Sequence, residues 1–246
     1  MADSIALTHP MASPKQGGNR IYVLCEVVAF MGLAVASKAL LSLVAWKYAG
    51  PISLIGLLGI LTLYLHRIGF SWRDFGLTRL PDLKARLLIL PQALLVFGGF
   101  AIAISSVLGL GQALGWTFMS EVPEGVMERW GAVEGNLPLY LMWLGIIWTS
   151  AAFGEEMFFR GYLVTRFTHG FSGTRLAPIL AIVFAAAFFG FGHMYYQGLR
   201  GFITTGAIAL VFGASFLLFK RNLWPIILVH GVIDTLTFTA LFLGLE

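Results

Sequence analysis

Charged side chains are scarce in this sequence. They make up 11% of its 246 residues, against roughly a quarter in an average soluble domain. There is one cysteine, Cys25, and it lies in an apolar run, so neither a disulfide framework nor a cysteine zinc site is available. The chain also lacks a His-Glu-x-x-His helix, the arrangement in which one helical turn supplies two zinc ligands. Residues 1–19 are polar and small, with no apolar core beside a cleavage site; a removable signal peptide is not expected there, and the first apolar run is expected to act as an uncleaved signal. No hydroxyl or thiol stands out with a base at its side. Ser150 lies one turn before Gly154 without any mark of activation, and Cys25 is remote, which leaves a covalent mechanism without support.

Apolar residues are abundant, at 58%, and the mean hydropathy is +0.84. This composition predicts an all-α polytopic membrane protein. A crossing needs ~20 residues, so the chain has room for about seven transmembrane helices, or eight, and none for a separate soluble domain. The expected organisation is a polar tail at 1–19 and one transmembrane domain at 20–246, with spans near 20–46, 51–65, 87–114, 139–169, 176–196, 201–219 and 223–245. The net charge of +4 does not indicate nucleic acid, because the basic residues cluster at the ends of apolar runs, where they orient membrane proteins. The basic stretch 68–86, with Trp72 and Phe75, suits the headgroup zone on the cytoplasmic side. The segment 115–138, poor in Lys and Arg, suits the other side. A cytoplasmic amino terminus satisfies both.

Against this apolar background Glu155, Glu156 and Arg160 stand together in the fourth run. An uncompensated charge near the centre of a membrane helix costs at least ~2.5 kcal/mol. Glu156 and Arg160 are four apart and share a helix face, whereas Glu155 points about 100° away. One carboxylate is therefore held while the other is free. Phe189 and His193 are also four apart, as are His230 and Asp234, so two later helices each present a histidine with a neighbour one turn away. A carboxylate removed from water is a competent general base near neutral pH. Glu155 with His193 can bind and deprotonate a water, while His230 and Asp234 can donate to the oxyanion formed when water attacks a carbonyl. The residue types point to amide hydrolysis with no cofactor. Glu155, His193 and His230 also form a two-His, one-carboxylate set of the kind catalytic zinc uses.

In order and approximate separation, Glu155-Glu156-x-x-x-Arg160, Phe189-x-x-x-His193 and His230-x-x-x-Asp234 resemble the motif set of the CAAX prenyl protease type 2 family, also called ABI or CPBP, which are intramembrane glutamic endopeptidases. The resemblance covers about 139–244. It implies that Glu155 and His193 activate the water, that His230 and Asp234 form the oxyanion hole, and that Glu156, Arg160 and Phe189 support the site. The last motif position is often Asn in the eukaryotic enzymes. An ionised Asp234 would repel an oxyanion, so Asp234 is expected either to carry a proton or to orient His230. The substrate implied is a membrane-bound peptide or protein, prenylated in the eukaryotic enzymes. Short loops and small size are expected of a prokaryotic member in the inner membrane.

Competing readings remain at this level. The charges in the fourth run also suit a structural ion pair, and His193 an interfacial position beside Tyr195 and Tyr196. Glu26 and Lys38 lie ~18 Å apart along one helix and cannot pair; they are expected to be interfacial or structural, with Lys38 snorkelling or meeting another helix. A catalytically silent scaffold, such as an immunity or maturation partner, would keep the same motifs. A proton-coupled transporter would need a polar route that the first three spans do not offer. Depth is the main obstacle. Glu155 lies ~24 Å along the fourth run, and His193 and His230 reach its level only if helices tilt or break, with Gly154 a candidate point.

Overall fold

The computed structural model describes residues 19–245, so the expected polar tail lies outside the described residues except for Asn19, whose side chain caps the first helix by accepting from the Ile21 N–H at 3.1 Å. Among the described residues there is no strand. Each apolar run forms helix, but not in the divisions the runs suggest. Helix α1 spans Arg20–Arg67, followed by the short α2 (Leu83–Leu87) and by α3 (Ile89–Ala113). Helix α4 (Glu124–Trp130) is short. A continuous element then runs through α5 (Leu137–Ile146), a π-helix (Ile147–Val164) and α6 (Thr165–Gly170). Helices α7 (Ala177–Leu218) and α8 (Trp224–Phe242) complete the bundle.

The expectation of seven or eight spans meets, among the described residues, five helices long and apolar enough to cross a membrane: Arg20–Arg67, Leu83–Ala113, Leu137–Gly170, Ala177–Leu218 and Trp224–Phe242. The difference lies in α1 and α7, of 48 and 42 residues, each of which merges two expected spans. A straight helix from Glu26 to Tyr64 would extend ~57 Å, yet the Tyr64 hydroxyl donates to Glu26 Oε2 at 2.9 Å. Helix α1 therefore doubles back, at a break where Ala45 has φ −145° and ψ 57°. Pro51 follows closely. Having no N–H, it leaves the Lys47 carbonyl four residues earlier without its helical donor, and Arg129 Nε on α4 takes that carbonyl at 2.9 Å.

Helix α7 reverses in the same way at Gly198, whose φ of +58° favours a residue without a Cβ. Its two arms pack through small residues. A Cβ on Gly213 would come 2.9 Å from Ile182, and one on Gly190 would meet the Phe202 carbonyl at 2.5 Å. Such positions let membrane helices approach closely. Where the sequence suggested loops near 46–51 and 196–201, the chain keeps helical geometry up to single-residue breaks.

The π-helix is at the centre of the bundle and packs against α1, α7 and α8. Its backbone N–H groups reach five residues back, a geometry usually confined to one-turn bulges at functional sites; here it continues for 18 residues. A buried network anchors its far end. Arg166 Nε and Nη2 donate to Glu26 Oε1 and Oε2 at 2.9 and 2.7 Å, and the Tyr162 hydroxyl donates to Glu26 Oε1 at 2.7 Å. Glu26 is thus a structural group within the bundle rather than an interfacial one. A two-pronged arginine–carboxylate pair with its remaining acceptor sites filled is the form in which a buried pair is best tolerated. It ties the first arm of α1 to the far end of the π-helix and to α6.

Candidate active site

Four carboxyl and imidazole groups converge where the π-helix meets α8. Glu156 is fully buried, and its Oε1 accepts from Arg160 Nη1 at 2.9 Å and from His230 Nδ1 at 2.7 Å. Spending Nδ1–H on Glu156 fixes the ring of His230 and turns Nε2 the other way. That nitrogen faces Asp234 Oδ2 at 3.5 Å and Glu155 Oε2 at 3.9 Å. Both separations exceed a direct hydrogen bond, so these two carboxyl groups are free to turn toward a water or a substrate. Helical spacing thus separates the two glutamates as expected: Glu156 is clamped, and Glu155 keeps its side chain partly open to the cavity.

Arg160 is held from three sides. Besides Glu156, its guanidinium lies over the Phe189 ring at 4.5 Å and near the Phe212 ring at 5.2 Å. Phe189 has a second role through its backbone, since its carbonyl accepts from His193 Nδ1 at 2.9 Å. With Nδ1–H committed, the neutral ring of His193 presents Nε2 as an acceptor. Among the described residues no ion pair or hydrogen bond joins His193 to Glu155. The two instead line one cavity of about 640 Å³, together with His230 and Asp234. The size is that of a small-molecule or peptide-segment site. Its walls are aromatic, including Phe158, Phe159, Phe188 and Phe191.

The difficulty over depth is met by the contacts themselves: His230 Nδ1 reaches Glu156 Oε1 at 2.7 Å, and Glu155, His193 and His230 line one cavity. Gly154 is not a break; it lies within the continuous π-helix. Among the described residues no group of three or more His, Cys, Asp or Glu side chains is spaced to hold a metal ion.

Two cavity residues carry more than the sequence reading assigned to them. Lys38 reaches across to α7, where Nζ donates to the Gly192 carbonyl at 2.6 Å, beside His193. Arg129 is buried in the cavity wall. The isolated mid-span charge of Lys38 was a visible signal. Arg129 had none beyond being the lone cation of an acidic stretch.

With this geometry in place, comparison with known proteins adds one finding. Residues 137–236 match the family model described as Type II CAAX prenyl endopeptidase Rce1-like. The match includes all seven residues singled out by the three motifs. No curated protein and no solved structure matches the chain.

Proposed function

We propose, from the match of residues 137–236 to the family model of Rce1-like type II CAAX prenyl endopeptidases, that this integral membrane protein hydrolyses a peptide bond of a membrane-associated peptide or protein through Glu155, His193, His230 and Asp234. The observation that carries the assignment of roles is the clamping of His230 Nδ1 by Glu156, which directs Nε2 toward Asp234 and Glu155 inside an aromatic cavity.

In this reading a water rests between Glu155 and His193. Glu155 takes its proton as the water oxygen bonds to the scissile carbonyl carbon, and the carbonyl electron pair moves onto oxygen. With both ring nitrogens protonated, His230 donates from Nδ1 to Glu156 and from Nε2 to the oxyanion, and protonated Asp234 donates beside it. Collapse of the intermediate restores the carbonyl and breaks the C–N bond, and the proton on Glu155 passes to the leaving amine. Glu156, Arg160 and Phe189 position these groups without touching the substrate. The aromatic walls accept apolar side chains or a lipid chain of the substrate.

The test is cleavage of membrane-associated peptides by the purified protein, with His193→Ala beside the wild type and a chelator added to each. Cleavage is expected to fall by about 10²-fold or more in the variant and to be insensitive to the chelator. Loss of activity with the chelator would restore the zinc reading, and no cleavage by the wild type would favour a silent scaffold or a transporter. Asp234→Asn keeps a donor at the same place and is expected to retain activity within about tenfold. Complete loss in a folded Asp234→Asn protein would remove the donor role.

A further inference from the structure

Among the described residues the buried cations Arg160 and Arg166 come with carboxylates, whereas two cations that share the catalytic cavity, buried Arg129 and half-buried Lys38, do not. Arg160 has Glu156 and Arg166 has Glu26. Arg129 is 7% exposed, and among the described residues no carboxylate lies within ion-pair distance of it or of Lys38. What holds Arg129 is neutral: the Lys47 carbonyl at Nε, and the rings of Trp130 and Tyr196 at 4.9 and 4.8 Å. Lys38 has the Gly192 carbonyl and, 3.4 Å below Nζ, the Tyr195 ring. The same ring lies 5.8 Å from the Arg129 guanidinium, so both charges converge on Tyr195. Trp130 adds a buried indole N–H with no acceptor.

Aromatic faces offset part of the desolvation of a cation, about 2 kcal/mol in favourable cases, which is small beside the effective penalty of several kcal/mol per buried ion. Two like charges beside one ring also repel. An anion placed between them would relieve both costs. Two cations side by side in a low-dielectric surround attract an anion more strongly than the same pair open to water. The two cations face the cavity that holds Glu155 and His193, so an anion bound there would share that cavity with a bound peptide.

We propose that Arg129 and Lys38 form an anion subsite of the catalytic cavity that holds a carboxylate of the peptide substrate, next to His193. The identity of the anion's carrier rests on the proteolytic reading; the subsite itself does not. Its chemistry is that of a charge-assisted pair, with the arginine fork supplying direction and the lysine a point charge. A carboxylate at the chain end and one on an acidic side chain share this chemistry.

The test uses three fluorophore-labelled apolar peptides of one sequence: the free C-terminal acid, its C-terminal amide, and the amide with one internal glutamate. Binding to the full chain in detergent is read by fluorescence anisotropy. The acid or the glutamate peptide is expected to bind at least about tenfold more tightly than the plain amide, by the usual strength of a hydrogen bond to a charged group. Whichever of the two shows the preference identifies the source of the carboxylate. Arg129→Gln and Lys38→Gln should each bring the ratio toward one, while Arg129→Lys, which keeps the charge, should retain most of it. Thermal unfolding of each variant separates loss of the subsite from loss of the fold. Equal binding of all three peptides to the wild type, or a ratio that survives in both neutral variants, would overturn the proposal. Because binding is read without turnover, absence of cleavage with a preserved acid preference would count against proteolysis and not against the subsite.

Discussion

Glu155→Gln is expected to lower peptide cleavage by about 10²- to 10⁴-fold, the usual contribution of a positioned general base, while leaving the fold intact. The two halves of that expectation come from different features of one side chain. Glu155 has no hydrogen bond of its own among the described residues, and its nearest partner, His230 Nε2, is 3.9 Å away. Its side chain keeps 22% of its exposure, in contrast to the fully enclosed Glu156. Glutamine matches its shape and removes only the capacity to take a proton. Little packing is lost, so the unfolding midpoint should stay near that of the wild type. Cleavage rate and thermal unfolding, measured on the same preparation, decide the matter. A variant that unfolds at the wild-type temperature and still cleaves at an undiminished rate would move the base to His193 or Asp234.

Much of this arrangement is legible in the sequence because membrane burial makes every polar residue informative. Spacing of four sufficed to pair Glu156 with Arg160 and to place Phe189 beside His193. It also assigned Glu155 and Glu156 to different surroundings. The second partner of Glu156 was not legible. His230 is 74 residues away, and only the packing of α8 on the π-helix shows that its Nδ1 is spent on Glu156 rather than directed at the substrate. The helix divisions failed for a local reason. Short polar stretches around Lys47 and Gln197 resemble loops, but one kinked residue in each, Ala45 and Gly198, reverses the chain while neighbouring residues stay helical. The π-helix left no trace in a pattern read at the α-helical period, since adding one residue per hydrogen-bonded ring shifts faces gradually. Which of the two roles left open for Glu26, interfacial or structural, it fills was not legible, because its partner, Arg166, is 140 residues distant and a charge near a helix end suits an interface as well as a buried pair.

The division between a held and a free glutamate has its sharpest consequence at Arg160. Arg160→Met is expected to destabilise the protein by about 3–5 kcal/mol, the usual result of removing one partner from a buried ion pair. Glu156 would then be a carboxylate in the interior with only His230 for compensation. The arginine is 1% exposed and rests on Phe189 and Phe212, so methionine fills much of its volume, and the loss measured is chiefly electrostatic. The pair is also incompletely satisfied, because Glu156 Oε2 and Arg160 Nη2 are both buried without partners. This separates a single from a double substitution. Replacing both residues, Glu156→Gln with Arg160→Met, removes the stranded charge while keeping an oxygen for His230 Nδ1, and should recover a large part of the stability lost in the single variant. Activity should not recover with it. The neutral amide no longer supplies the charge that holds His230 as a two-sided donor, so the double variant is expected to fold and to cleave poorly. Denaturant unfolding in detergent, read alongside cleavage, tests both halves. A single substitution costing less than about 1 kcal/mol, the level of an exposed pair, would mean that Glu156 is not ionised in the folded protein, and that His230 is held by a neutral hydrogen bond.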